Sequence, residues 1–148
     1  MAQKENNIIP MIFDEAFYRK MATQKWRQQD YKKAAEYYEK VLELSPEDFD
    51  IQQHYAQCLV KLNIGKKAEH LFYENIVKDF HVAESFYELS QLNIELNEPN
   101  KAFLFGINYV ILSDDKDFRE MLEKTFEVTY TSEQKIELEA QLFSTQLL

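Results

Sequence analysis

The sequence predicts an all-α fold, an α-solenoid in which antiparallel helix pairs stack on one another. The first reason is composition, because 148 residues hold only two glycines and three prolines, so long stretches lack the residues that break helices. The second is a 34-residue repeat that runs without a gap through residues 15–48, 49–82 and 83–116. A unit of this length is one helix pair, and it buries its apolar face only against a neighbouring pair.

Each 34-residue window has small residues at two positions and large residues around them. Position 8 holds Ala22, Ala56 and Ser90, and position 20 holds Ala34, Ala68 and Ala102. Two helices approach closely only where side chains are small, so these positions predict where the two helices of a pair meet. Large residues are expected to fill the surrounding space from position 7 (Met21, Tyr55, Leu89), position 28 (Leu42, Ile76, Val110) and position 24 (Tyr38 and Phe72, with Phe105 beside Gly106 in the third window). The turn within each pair is expected near positions 14 to 16.

The segments on either side of the repeats extend this prediction. Residues 1–14 are expected to form a tail and lead-in that ends at Asp14, the predicted cap of the first helix. Residues 117–148 are expected to form a C-terminal helix pair, or the start of further repeats, which makes eight helices in all. Its last helix would begin at Ser132, with Thr131 and Gln134 spaced as a capping box. Because this helix stays apolar to Leu148, the chain is expected either to be a piece of a longer repeat protein or to dock through this end, for example onto a second copy of itself.

The first window, EAFYRKMATQKWRQQDYKKAAEYYEKVLELSPED, resembles the tetratricopeptide repeat. The residues that match that family's pattern are Tyr18, Ala22, Tyr31, Ala34, Tyr38 and Pro46. The later windows keep most of the packing positions but have Phe80 and Asp114 where proline is common. The resemblance covers residues 15–116 and implies a right-handed solenoid that serves as a non-enzymatic scaffold or adaptor for protein partners.

The resemblance also implies a concave groove, lined by the first helix of each pair, that binds a peptide or a partner helix. Transferred position by position, the groove residues are Arg19, Thr23, Trp26, Arg27, Gln53, Gln57, Lys61, Tyr87, Gln91 and Ile94. Tryptophan, tyrosine and arginine are common anchors of protein interfaces, and glutamine amides can hydrogen-bond an extended backbone. The alternative for Trp26 and Tyr87 is that they pack against neighbouring helices.

Charge is distributed unevenly along the chain. The net charge is −9, but residues 1–40 hold eight Lys and Arg against six Asp and Glu, whereas residues 41–148 hold nine against twenty. An acidic chain is a poor binder of nucleic-acid phosphates, so a single-strand-binding role for Lys25, Trp26 and Arg27 is a minor alternative. The basic first repeat instead favours an acidic protein partner, and a second alternative is a homo-oligomer formed through residues 136–148.

Motifs for catalysis or cofactor binding are not found in the sequence. It has no glycine-rich phosphate loop, no GxSxG and no HExxH, so neither an enzyme nor a cofactor is predicted. His54 and Cys58 have the spacing of two metal ligands on a helix, but the preferred interpretation is a buried cysteine and a part-exposed histidine. A single cysteine and the lack of a signal-peptide or membrane-spanning pattern predict a cytoplasmic location.

Overall fold

A computed structural model describes residues 14–127, which form seven α-helices joined by short turns and contain no strand. The helices are α1 (Glu15–Arg27), α2 (Tyr31–Leu44), α3 (Phe49–Lys61), α4 (Gly65–Val77), α5 (Val82–Glu95), α6 (Pro99–Ser113) and α7 (Lys116–Glu127). The predicted all-α helical-repeat class is confirmed. The predicted helix from Ser132 and the predicted tail before Asp14 lie outside the described residues.

The chain divides into two compact units, Met1–Ala68 and Glu69–Leu148. In the first unit α1 packs against α2, and α2 packs against α3. In the second unit α5 packs against α6, and α6 packs against α7. All six small residues at repeat positions 8 and 20 have no exposed surface: Ala22, Ala34, Ala56, Ala68, Ser90 and Ala102.

The close approach predicted at these small positions is confirmed in the third repeat. The buried Ser90 Oγ donates a hydrogen bond of 2.8 Å to the carbonyl oxygen of Ala102, which joins α5 to α6. A larger side chain at position 8 or 20 would hold the two helices apart, because protein interiors are close-packed.

Aspartates begin the first three helices. Asp14 accepts a hydrogen bond from the amide of Phe17 at 2.9 Å, Asp30 caps α2 in the same way, and Asp48 caps α3. These bonds satisfy backbone donors that the first turn of a helix leaves without partners. The predicted cap at Asp14 is confirmed.

The turns inside the helix pairs repeat with the same 34-residue period. Gln29, Asn63 and Asn97 all have left-handed backbone angles, with φ of 60°, 62° and 58°. The next amide in each case donates to a carbonyl five residues earlier: Asp30 to Lys25, Ile64 to Leu59 and Glu98 to Asn93. This is the Schellman arrangement of a helix end, formed here without glycine. The predicted turn at positions 14 to 16 is confirmed.

Position 24 is where the third repeat departs from the other two. Tyr38 and Phe72 are large and buried at this position, whereas the third repeat has Gly106. A Cβ added to Gly106 would lie 2.7 Å from Leu122 Cδ1 and 3.0 Å from Ser90 Oγ. Leu122 of α7 therefore fills the space that an aromatic ring occupies elsewhere.

Candidate partner-binding surface

One face of α1 borders a depression of about 680 Å³. The residues on this face, called here the α1 surface, are Arg19, Lys20, Thr23, Gln24, Arg27 and Gln28. Their spacing places them along the length of one helical face. Among the described residues that border the depression, three are cations and none is a carboxylate, and they include three of the predicted groove residues, Arg19, Thr23 and Arg27.

Arg19 is held by carboxylates of its own unit. Its Nε lies 2.9 Å from Glu15 Oε2, and its Nη2 donates to Asp48. The hydrogen bond to Asp48 is the main reason that the pKa of Arg19 is raised. Burial alone would raise the pKa of Asp48, but the hydrogen bond from Arg19 helps to lower it overall. Because Arg19 is already paired, the positive charge offered to a partner comes mainly from Lys20 and Arg27.

The same network connects the start of α1 to the segment before α3. Ser45 Oγ donates to Glu15 Oε1, and this bond, followed by the one from Arg19, lowers the pKa of Glu15. Asp48 uses its other carboxylate oxygen to cap α3. These contacts fix the first turns of α1 relative to α3, and this holds the α1 surface in place.

Two further predicted residues, Trp26 and Lys61, are brought together by Tyr31. The rings of Trp26 and Tyr31 meet edge to face with centroids 5.1 Å apart. Lys61 Nζ lies 6.0 Å from the centroid of the Tyr31 ring, within the range of a cation–π contact. Trp26 is half-buried, so packing against Tyr31 accounts for part of its ring, and the remainder is exposed.

The glutamines predicted on α3 differ in exposure. Gln57 is half-buried, but Gln53 is only 3 % exposed. A buried amide cannot hydrogen-bond the backbone of a bound peptide, so Gln53 is removed from the candidate set. The family pattern placed it on the groove side, and only the packing around α3 shows that it is covered.

On α5, Tyr87 lies in an aromatic cluster. Its ring is 5.2 Å from that of Tyr109 and 5.3 Å from that of Phe118, and the latter two are 4.9 Å apart. Tyr109 donates a 2.7 Å hydrogen bond to Asp115, which caps α7 through the amide of Phe118. Packing against neighbouring helices, the alternative considered for Tyr87, therefore accounts for its ring.

The other predicted residues of α5 are closer to solvent. Gln91 Nε2 donates to the Tyr87 hydroxyl at 3.3 Å, and Ile94 is 37 % exposed. The sequence missed Tyr109 and Phe118 as neighbours of Tyr87, because their contact depends on how three helices pack. Their only sequence signal was the helical spacing of apolar residues.

The first helices of the three pairs differ in charge. From the sequence, α1 carries four cations and one carboxylate, α3 carries one of each, and α5 carries three glutamates and no Lys or Arg. The charge of these helices therefore changes from +3 to 0 to −3. A partner that binds α1 by charge would be repelled by α5.

The suggestion of a metal at His54 and Cys58 does not fit their surroundings. Cys58 has no exposed surface, and burial raises the pKa of its thiol to about 12. His54 is exposed, stacks on Tyr38 and places Nδ1 2.8 Å from the carbonyl oxygen of Asp50. Cys58 is thus neutral at physiological pH, and a neutral thiol is a poor metal ligand. The prediction that Cys58 is buried is confirmed.

Residues 14–127 hold no group of three or more His, Cys, Asp or Glu side chains arranged to bind a metal ion. None of the seven helices combines the length and the apolar character needed to cross a membrane.

Comparisons with known proteins agree with the repeat found in the sequence. Residues 25–72 match a family described as tetratricopeptide repeat. Among solved structures, the crystal structure of MamA protein matches with a TM-score of 0.70 and 19% sequence identity, over 89% of this chain and 73% of that one. No curated protein gives a significant match.

Proposed function

We propose, from the tetratricopeptide repeats that this chain carries, that it is a non-enzymatic scaffold whose α1 surface binds an acidic peptide or partner helix. Tetratricopeptide repeats support a protein–protein interaction role in general. The observation that carries the finer proposal is the α1 surface itself, where the described residues that border the depression are three cations and three uncharged polar residues.

Lys20 and Arg27 supply most of the positive charge that a partner would meet, and their spacing suggests how the acidic groups of that partner are spaced. Lys20 and Arg27 are seven residues apart, which is about 10.5 Å along a helix at a rise of 1.5 Å per residue. Carboxylates at a similar spacing could pair with both cations at once. Such a partner would be a helix with acids seven residues apart or an extended segment with acids about three residues apart.

The open part of Trp26 would add apolar contact to these charges. Tryptophan and arginine contribute strongly to protein interfaces when they become buried together. Tyr31 packs against the Trp26 ring, and Lys61 lies over the ring of Tyr31, so the Trp26 ring loses less freedom when a partner covers it.

The experiment is a peptide titration followed through Trp26, the only tryptophan of the chain. An acidic helical peptide is compared with versions in which every Glu is replaced by Gln or by Lys. We expect the acidic peptide to change the fluorescence and to bind about tenfold more tightly than the Gln version. Equal binding of the acidic and Lys versions would overturn the proposal.

Matched variants locate the binding site. Lys20→Gln and Arg27→Gln should each weaken binding of the acidic peptide about threefold to tenfold, as expected for one exposed charge-assisted contact. Lys32→Gln is the control, because Lys32 is an exposed cation on α2 outside the α1 surface. If the control weakens binding as much as the two variants, the peptide is responding to overall charge.

The other functions suggested by the sequence stay predictions. The homo-oligomer through residues 136–148 lies outside the described residues. For single-stranded nucleic acid, the Trp26 ring already packs edge to face with Tyr31, and Lys25 Nζ donates to Gln28 Oε1 at 3.4 Å. A titration of the same protein with a single-stranded oligonucleotide at low salt tests this role, since such binding is strongly salt-dependent. The cytoplasmic location also stays a prediction.

A further inference from the structure

We infer that a second copy of this chain is one of the partners of the α1 surface, and that it binds through an acidic stripe on α5. This inference rests on the proposed function, because it names a partner for the same surface. The α5 stripe consists of Glu84, Glu88, Gln91 and Glu95. These residues recur at intervals of four, three and four, which places them along one line of a helix.

The side chains of the α5 stripe are accessible enough to meet another molecule. Glu84 is 63% exposed at its side chain and contacts His81, Glu95 is exposed, and Glu88 and Gln91 are half-buried. Ile94 is 37% exposed beside Glu95 and would add apolar contact. No Lys or Arg lies on α5, so its three glutamates give this helix a charge of −3.

Charge and spacing both match between the two surfaces. Glu88 and Glu95 are seven residues apart, as are Lys20 and Arg27, and each interval is about 10.5 Å along its helix. Two helices packed side by side can therefore place both glutamates of one copy against both cations of the other. The remaining groups of the two faces are mostly amides and a hydroxyl, which can hydrogen-bond across the contact.

The symmetry of this contact determines which kind of assembly forms. Each copy offers one α1 surface and one α5 stripe, so the contact joins unlike surfaces, and association continues from copy to copy unless a ring closes. Ion pairs between exposed groups are weak and are screened by salt. The assembly should therefore be concentration-dependent at low ionic strength and should separate into monomers of 17.7 kDa at high ionic strength.

The first measurement is the weight-average mass of the full chain by sedimentation or light scattering, across protein concentration and salt. We expect the mass to rise with concentration at low salt, and the association to weaken at least about tenfold in about 0.5 M salt. A monomer at every concentration in low salt overturns the inference. Association that strengthens with salt also overturns it, because that behaviour indicates an apolar contact.

Two neutralised variants test which surfaces meet. The first carries Lys20→Gln and Arg27→Gln, and the second carries Glu88→Gln and Glu95→Gln. Each variant alone should be monomeric, while an equimolar mixture should form a one-to-one dimer, because one intact α1 surface and one intact α5 stripe remain. Circular dichroism checks that both variants are folded. Self-association of either variant alone, or no dimer in the mixture, overturns the inference.

A matched pair of control variants tests whether a change in net charge alone alters the association. Lys32→Gln with Lys33→Gln, and Glu120→Gln with Glu123→Gln, make the same changes in net charge at exposed positions of α2 and α7. Both controls should assemble as the unchanged chain does. The peptide titration separates the two proposals: acidic peptides that bind a strictly monomeric chain support the proposed function alone, and peptides that fail to bind contradict it.

Discussion

The two compact units build their cores from the same repeat positions but differ in net charge, which is close to zero in the first unit and strongly negative in the second. Within the described residues, the first unit has ten Lys and Arg against nine Asp and Glu, and the second has five against thirteen. In both, the small residues at positions 8 and 20 are completely buried. Packing between helices restricts the buried positions, whereas solvent-exposed positions are free to vary. The buried repeat positions therefore describe the architecture that the two units share, whereas their exposed positions differ in charge.

Their supporting interactions also differ. The first unit ties α1 to the start of α3 with an ion-pair network centred on Arg19. The second joins α5, α6 and α7 through the rings of Tyr87, Tyr109 and Phe118. Ion pairs respond to pH and salt, whereas aromatic packing responds mainly to changes of volume. The two units should therefore be sensitive to different perturbations.

The largest expected effect is at position 24 of the second repeat. Phe72 is completely buried, and Phe72→Ala should lower the free energy of unfolding by about 3–5 kcal/mol, because it removes a ring and leaves a cavity. Urea unfolding followed by circular dichroism measures this loss. Phe80→Ala is the control, since Phe80 is 42% exposed. A similar loss in both would mean that position 24 has no special role in the core.

At the same position in the third repeat, a substitution that adds volume should destabilise the fold. Gly106→Ala places a methyl group against the buried Leu122. The overpacking, about 1–3 kcal/mol, should exceed the roughly 0.5–1 kcal/mol by which alanine is favoured over glycine inside a helix. Leu122→Ala removes the obstacle, so the double variant should be more stable than the sum of the single losses predicts. Additive losses in urea unfolding would contradict the contact between these two residues.

Acid should affect the first unit through Arg19. The folded-state pKa values of Glu15 and Asp48 are lowered, so both stabilise the fold above their unfolded values, near 4.5 and 3.8. This stabilisation is lost as pH falls through the folded values. Arg19→Gln removes part of the cause of these lowered pKa values, so the stability of the variant should depend less on pH below about 4.5. Denaturant unfolding from pH 7 to pH 3 measures this, and an unchanged pH dependence would rule out the network as its source.

The smallest expected effect is at the repeated left-handed turn. Gln29 has φ of 60°, which is unfavourable for a side chain with a Cβ. Gln29→Gly should raise the free energy of unfolding by about 0.5–1 kcal/mol. Asn63→Gly should raise the free energy of unfolding by less, because asparagine tolerates this conformation better than glutamine does. Thermal unfolding of the two variants compares them, and a larger gain at Asn63 would contradict this account.

Part of the candidate surface could be predicted from the sequence. Arg19, Thr23 and Arg27 share one face of α1, as the repeat positions indicated. The sequence could not show that Arg19 is paired with Asp48, 29 residues away, or that Gln53 is buried. Both facts depend on which helix covers a given side chain, and repeat position alone does not determine this.

By itself, the sequence determined the helical class, the 34-residue period, the cap at Asp14 and the turns between paired helices. These features depend on contacts between residues close in the chain, or on a pattern that recurs along it. The tertiary structure decided that Leu122 fills the space beside Gly106 and that Tyr87 joins an aromatic cluster. It also decided that Lys20 and Arg27 supply most of the charge at the α1 surface. Those outcomes depend on which distant side chains compete for the same space and the same hydrogen bonds.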